Sequence, residues 1–291
     1  MSKIKVKVEN GECGTGKRKT KYTEVISISE NRMLWAMIYA NKTHREMKTA
    51  AELQAYVQWR KAQMDFVFDF SQNILGVNRE ARTLEKSYKT TIGFDLGMVM
   101  ANLVCNSLLK VKHLYHLNAG KYAHNVGAHV DYLAQNKNGY YAIEAKGTLG
   151  EQWQGKAQAL EQLSNVSRVN GETPHKYAVL TRCKNGEIES RLIDPIDEND
   201  KNVEIPEEFW NYQNELYEML ERQTEILYGV QMKYVQVEGA FFGLLSPCDR
   251  WGLSNMANEK ITETVLQERR YKVEIFEDGT VIGIEKNRRE K

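Results

Sequence analysis

Apolar and polar residues alternate over residues 4–8 and again over residues 22–28, and this period of two predicts a two-stranded ribbon. Over residues 30–76 the period becomes helical. Leu34, Met37 and Ile38 form one stripe, and Leu53, Tyr56, Val57, Trp59 and Arg60 continue it after a polar break; Ser29 and Thr49 are placed as N-caps. A second helical block spans residues 84–111, with Leu96, Met100, Leu103 and Ser107 facing a core. Over residues 129–147, two short runs rich in Tyr, Val, Ile and Ala flank Asn136-Lys137-Asn138-Gly139, the composition of a β-hairpin. Residues 147–150 break the second strand. A helix is then predicted over 151–169 on the stripe Trp153, Ala157, Leu160 and Ser164, followed by strands at 176–182 and 187–193. Strand, strand, helix, strand is the order of a mixed sheet flanked by helices, so the fold class is α/β.

Residues 194–204 carry five acids and one proline and read as a surface loop and an internal boundary. Pro206, Glu207 and Glu208 then open a helix with Phe209, Leu216, Leu220 and Leu227 on its stripe. The tail holds a hairpin over 271–284 turning at Asp278-Gly279, and ends on a basic tip at 286–291. The chain therefore divides into a β-ribbon and helical module (1–84), a core (85–194) and an α+β extension (195–291), or forms one continuous globule.

Composition narrows the class. The 291 residues are 42% hydrophobic, normal for a globular chain, and the net charge of +1 excludes a global basic field, so any nucleic-acid affinity must come from local patches. Cys13, Cys105, Cys183 and Cys248 are spread without CxxC spacing, which suits a reducing cytoplasm. The N-terminus lacks an apolar leader, and no stretch reads as the roughly 20 apolar residues that span a bilayer, so the expectation is a soluble, cytoplasmic protein without membrane contact.

The candidate chemistry lies in the 129–147 hairpin. If the loop is residues 136–139, Gln135 pairs with Tyr140 and Asp131 falls opposite Glu144. If it is only Asn138-Gly139, Asp131 falls opposite Lys146. In both registers Asp131, Glu144 and Lys146 share one face of the strand pair, because strand side chains alternate with period two. Two carboxylates beside an ammonium make an oxygen-rich cation site suited to Mg²⁺ or Mn²⁺, and a lysine there can orient an acidified water or take its proton. A solvated salt-bridge ladder is the plainer reading of the same letters.

Asp131, twelve residues, then Glu144-Ala145-Lys146 at a strand end resembles the active-site motif of the PD-(D/E)XK nuclease superfamily, with Val130 standing where that family has its proline. The resemblance covers roughly residues 85–195. It implies a restriction-endonuclease-like core and metal-dependent phosphodiester hydrolysis, with Mg²⁺ or Mn²⁺ on Asp131 and Glu144 and a water oriented by Lys146. It also implies a further acid from the preceding helix, for which Asp95 in Gly93-Phe-Asp-Leu-Gly97 is the best match and Glu85 and Glu80 are fallbacks. A first-turn carboxylate favoured by the helix dipole is the other reading of Asp95. Gln158 and Gln162, four apart on the next helix, match glutamines that support the site in some branches, and otherwise are polar helix surface. Restriction enzymes, repair nucleases and bacterial antiphage effectors all use such cores, and the resemblance does not choose among them. The expectation adopted is a nuclease of bacterial antiphage or restriction type, acting on DNA rather than RNA, with a partner subunit such as a helicase or sensor, or a homodimer. The rival reading is a non-catalytic adaptor that binds nucleic acid or a subunit.

Two other motifs are weaker. Gly11-Glu-Cys-Gly-Thr-Gly16-Lys17-Arg18-Lys19 nearly spells a phosphate-binding loop, but Arg18 replaces the Ser/Thr that would hold Mg²⁺ and a strand follows, so a basic hairpin tip, touching phosphate or merely solvated, is expected. His113 and His116 lie three apart without a ligand cluster and read as structural or exposed.

Overall fold

The computed structural model describes residues 1–10, 20–41, 46–117, 130–194, 202–203, 205, 210, 212–220, 223–246 and 262–286. Helix α1 (Glu30–Tyr39) sits at its centre. Met33, Leu34, Trp35, Ala36, Met37, Ile38 and Tyr39 are all buried, and a helix apolar on every side must be covered on every side. Its start is held by Ser29, whose hydroxyl accepts from the Arg32 amide at 3.0 Å. Helix α2 (Ala50–Val67) begins with a full capping box between Thr49 and Glu52. Helices α3 (Arg79–Thr83), α4 (Lys86–Val104), which ends in a π-helical turn over Cys105–Leu109, α5 (Lys156–Ser164) and α6 (Tyr212–Met219) complete the described helices.

A nine-stranded mixed sheet contains β1 (Ser2–Asn10), β2 (Thr20–Ile28), β3 (Phe68–Asp69), β4 (Gly76–Val77), β5 (Tyr115–His116), β6 (Tyr132–Asn136), β7 (Gly139–Thr148), β9 (His175–Lys184) and β10 (Glu187–Asp194). Its main path is β2-β1-β10-β9-β7-β6-β5, with β7 parallel to β9 and β1 parallel to β10. A small parallel pair joins β8 (Arg168–Val169) to β11 (Asn202–Val203). The second large sheet is antiparallel, with β12 (Thr224–Leu227), β13 (Val230–Val237), β14 (Ala240–Leu245), β15 (Thr262–Leu266), β16 (Arg269–Ile275) and β17 (Thr280–Glu285) in the order β12-β13-β14-β17-β16-β15.

Strand parity sorts the layers. Ile143, Ala145 and Val179 point to the face covered by α4, whereas Ala142, Ala178, Leu180 and Ile193 point to the face where Ala159 and Leu163 of α5 pack. Helix α1 lies between α4 and the second sheet. Asn31 donates to the carbonyls of Lys272 (2.8 Å) and Ile282 (2.7 Å), and Trp35 donates to Asp278 (3.0 Å). One apolar cluster runs from Ile4 through Leu96 to Ile282, so residues of all three sequence segments share a core.

Several expectations are corrected. Residues 68–76 are not helical: Phe68 and Asp69 pair with Val77 and Gly76, and Ile74 bridges Lys3, so sheet pairing overrides the helical pattern. The helix expected over 151–169 shrinks to Lys156–Ser164, because Gly155 sits at φ 71°; Trp153 lies before it, and the buried stripe is Ala159 and Leu163. Leu227 belongs to β12, not to a helix. The Asp278-Gly279 turn is found as expected, with Gly279 at φ 86°. The loop over 194–204 is tied back at its end, where Asn202 and Val203 pair with β8. The 24-residue helical run Lys86–Leu109 is long and apolar enough to cross a bilayer by length and composition alone, but 61% of its most apolar 18-residue window is buried and it packs as a core helix against β7 and β9. Cys105 and Cys183 are buried free thiols, and His113 and His116 are buried rather than exposed, His113 lying 2.8 Å from Asp278. The phosphate-loop-like stretch 11–19, His129, Cys13, Cys248, the predicted helix start at 206–209 and the basic tip from 287 onward lie outside the described residues.

Candidate active site

The hairpin register brings the three predicted residues together. Gln135 pairs with Tyr140 and Asn136 with Gly139, so the turn is Lys137-Asn138 and Asp131 falls opposite Glu144. Gly139 takes φ 117°, a value that a side chain would strain. The two acids are cross-tied through the main chain. The Asp131 amide donates to Glu144 Oε2 at 3.0 Å, and the Ala145 amide donates to Asp131 Oδ2 at 3.0 Å. Lys146 Nζ donates to Glu144 Oε1 at 2.5 Å. The Glu144 side chain is fully buried, whereas Lys146 keeps 22% of its surface, so this is a sunken carboxylate with a half-open ammonium above it.

Burial, then the neighbouring Asp131 charge, push the Glu144 carboxyl from its ordinary 4.5 to about 8, against the pull of Lys146. Burial also raises Asp131, held back by the Ala145 amide and Lys146. The folded protein thus keeps the Glu144 proton up to about pH 8, whereas the unfolded chain releases it near 4.5. The stability this group contributes is full below 4.5 and is lost as pH rises through about 8. Urea denaturation between these limits is expected to show that decline in the wild type and a flatter profile in Glu144→Gln, which cannot ionise; parallel profiles would remove the assignment.

Lys146 is aimed by a residue that sequence reading missed. Gly155, at φ 71° before α5, lies under the lysine stem, and a Cβ there would meet Lys146 Cγ at 3.0 Å. A second missed device seats the strand. Gly93 and Gly97 of α4 lie against Gly147, so closely that a Cβ on Gly147 would fall 2.2 Å from the Gly93 carbonyl oxygen and 2.3 Å from the Gly97 nitrogen. Two glycines four apart on one helix face, and a third directly after Lys146, were the available signals.

Asp95 does not join the pair. Helix α4 covers the opposite face of β7, and the Asp95 carboxylate accepts from Arg60 Nη1 and Gln63 Nε2, both at 2.6 Å. Arg60 is itself fully buried, donating to the Tyr56 hydroxyl at 3.0 Å with its guanidinium 4.6 Å from the Trp59 ring centre. A buried guanidinium requires such a partner, which explains where the carboxylate goes. The fallbacks fare no better: Glu85 and Glu80 are exposed, Glu85 as the N-cap of α4 and Glu80 in the first turn of α3. Gln158 is exposed on α5 and Gln162 is half-buried one turn further on. Among the described residues no three His, Cys, Asp or Glu side chains converge as a metal centre. No family model matches this chain, and no curated protein or solved structure matches it.

Proposed function

We propose that the chain is a metal-dependent nuclease that hydrolyses phosphodiester bonds of DNA at Asp131, Glu144 and Lys146. The observation that carries this reading is the fully buried Glu144, cross-tied to Asp131 and capped by Lys146 at 2.5 Å. A purely structural ladder gains little from sinking a carboxylate so deep that its proton is held to about pH 8. A cation beside two such acids would relieve both. Mg²⁺ or Mn²⁺ needs only one or two protein carboxylates, since it keeps waters and takes substrate phosphate oxygens, so the pair fits without Asp95. Bound there, the ion would supply charge neutralisation and an acidified water. Asp131 and Glu144 would hold it. Lys146, held 2.5 Å from Glu144 Oε1 and partly exposed, would hold the attacking water in line and stabilise charge on the phosphate.

The order α4, β5-β6-β7, α5, β9 supports a restriction-endonuclease-like reading of the core. A bacterial antiphage or restriction role, a cytoplasmic setting, and a helicase-like, sensor or homodimeric partner belong to the same proposal. The adaptor reading draws on Asp95 being committed to Arg60. Titration calorimetry separates them. Mg²⁺ or Mn²⁺ is expected to bind the wild type and not Asp131→Ala, and DNA cleavage is expected to stop in EDTA. Cleavage that persists in EDTA, or ion binding that survives in Asp131→Ala, would overturn the mechanism.

A further inference from the structure

We propose that the open sheet face formed by β1, β2 and β10 is the track along which the backbone of duplex DNA reaches Lys146, an inference that rests on the nuclease reading. The register makes the connection. Lys146 pairs with Leu180, Leu180 with Arg191, Arg191 with Lys7 and Lys7 with Thr23, a single row running straight across the sheet. Directly paired residues point to the same face, so Arg191 and Lys7 stand on the Lys146 side. At about 4.8 Å per strand, Lys7 lies about 14 Å from the candidate catalytic lysine.

Helix α5 packs on the β7 and β9 end of this face, with Lys156 reaching Glu9 at 3.8 Å and Trp153, just before the helix, lying on Arg191. Beyond it Lys3, Lys5 and Lys7 are exposed, and Val25, opposite Lys5, is 56% exposed, so this end is uncovered. Lys3, Lys5 and Lys7 make no ion pair among the described residues, whereas of the acids on this face Glu187 is exposed opposite Lys184 and the other two are engaged. Glu9 has Lys21, Lys156 and Arg191 within 3.8–3.9 Å, and Glu189 binds Arg182 at 2.6 Å. The positive charge is therefore in surplus on a chain whose net charge is only +1.

Spacing and chemistry favour a duplex. Residues two apart on a strand repeat at about 6.6–6.8 Å, which is about two base-pair rises of 3.4 Å, so Lys3, Lys5 and Lys7 can meet phosphates along one strand of a helix. Among the described residues of this face the ring available is Trp153, and it is taken up between the guanidiniums of Arg182 (4.4 Å) and Arg191 (4.2 Å). Single strands are held by stacking on free rings, which this face does not offer.

The test is equilibrium binding of the full chain to a short labelled duplex and to its single strand, over a salt series with Ca²⁺ in place of Mg²⁺, and with cleavage measured separately. The triple variant Lys3→Ala/Lys5→Ala/Lys7→Ala is expected to reduce the slope of log K against log salt by about 2–3, at about 0.9 for each phosphate no longer neutralised. The control Lys48→Ala/Lys86→Ala/Lys110→Ala, with the same charge change elsewhere, is expected to leave the slope in place. An unchanged slope in the first triple, an equal reduction in the control, or tighter binding of the single strand would overturn the track. A wild type that cleaves while the triple variant keeps its slope removes the track and keeps the nuclease. A wild type that binds with the expected slope but never cleaves does the reverse.

Discussion

Lys146→Arg is expected to lower single-turnover DNA cleavage by about 10²–10⁴-fold, the range in which a positioned acid–base or water-orienting group acts, while equilibrium binding of DNA changes little. Charge is conserved in this substitution, so any attraction for phosphate is conserved with it. Shape is not. The lysine stem lies across Gly155 at 3.0–3.4 Å from where a Cβ would be, and its ammonium reaches Glu144 at 2.5 Å. A planar guanidinium is wider, stays protonated and presents a rigid fork, so it cannot take the ammonium's place over one carboxylate oxygen and one water. The variant should remain folded, because the Lys146 head is partly exposed. Circular dichroism, binding and single-turnover rates measured on one preparation separate these effects. Near-wild-type cleavage by the arginine variant would reduce Lys146 to a phosphate attractor and leave the chemistry to the carboxylates.

Gly147→Ala is expected to destabilise the fold by about 3 kcal/mol or more, at the upper end of what overpacking costs. A Cβ at this position would overlap Gly93 O (2.2 Å), Gly97 N (2.3 Å) and Gly97 Cα (2.6 Å), all main-chain atoms of α4 that cannot rotate away. Helix α4 would have to move off β7, and Lys146, the adjacent residue, would move with the strand. Gly97→Ala meets the same obstacle from the other side, at 2.5 Å from Gly147 N and 2.7 Å from Lys146 C. Once the helix has lifted, the second methyl has less left to displace, so the double variant should cost clearly less than the sum of the two. Gly150→Ala is the control. Its new Cβ would meet only the Thr148 hydroxyl at 3.3 Å and the end of Gln154 at 4.0 Å, and a change within about 0.5 kcal/mol is expected. Chemical denaturation of the four variants decides it; Gly147→Ala as stable as Gly150→Ala would mean that the helix–strand packing has room to spare.

How much of this was legible from residues alone differs from element to element. The alternation over Ile4, Val6 and Val8 placed β1, and the Asn-Gly-containing turn with its flanking apolar runs placed the β6–β7 hairpin and put Asp131, Glu144 and Lys146 on one face. Both depend on period and turn chemistry, which are local properties of the chain. The strands β12–β14 were not legible, because Leu227 also fits a helical stripe with Leu216 and Leu220, and a short apolar run such as Ala240–Leu245 has no period of its own. Asp95 shows the same limit at the site. Its small neighbours Gly93 and Gly97 made it look like a site acid, whereas they serve the close packing of α4 on Gly147, and nothing in the local pattern says that a buried Arg60 from another helix claims its carboxylate.

The sequence by itself determined the strands and helices whose signals are short-range, and the identity and common face of the carboxylate pair and its lysine. Tertiary structure alone decided which layer covers each face. It buried Glu144 and so raised its carboxyl to about 8, it placed Gly155 under Lys146, and it lined up Lys146, Arg191 and Lys7 in one row from three separate parts of the chain. The physical reason is that desolvation and cross-strand register are sums over neighbours distant in sequence, whereas periodicity and turn chemistry are not.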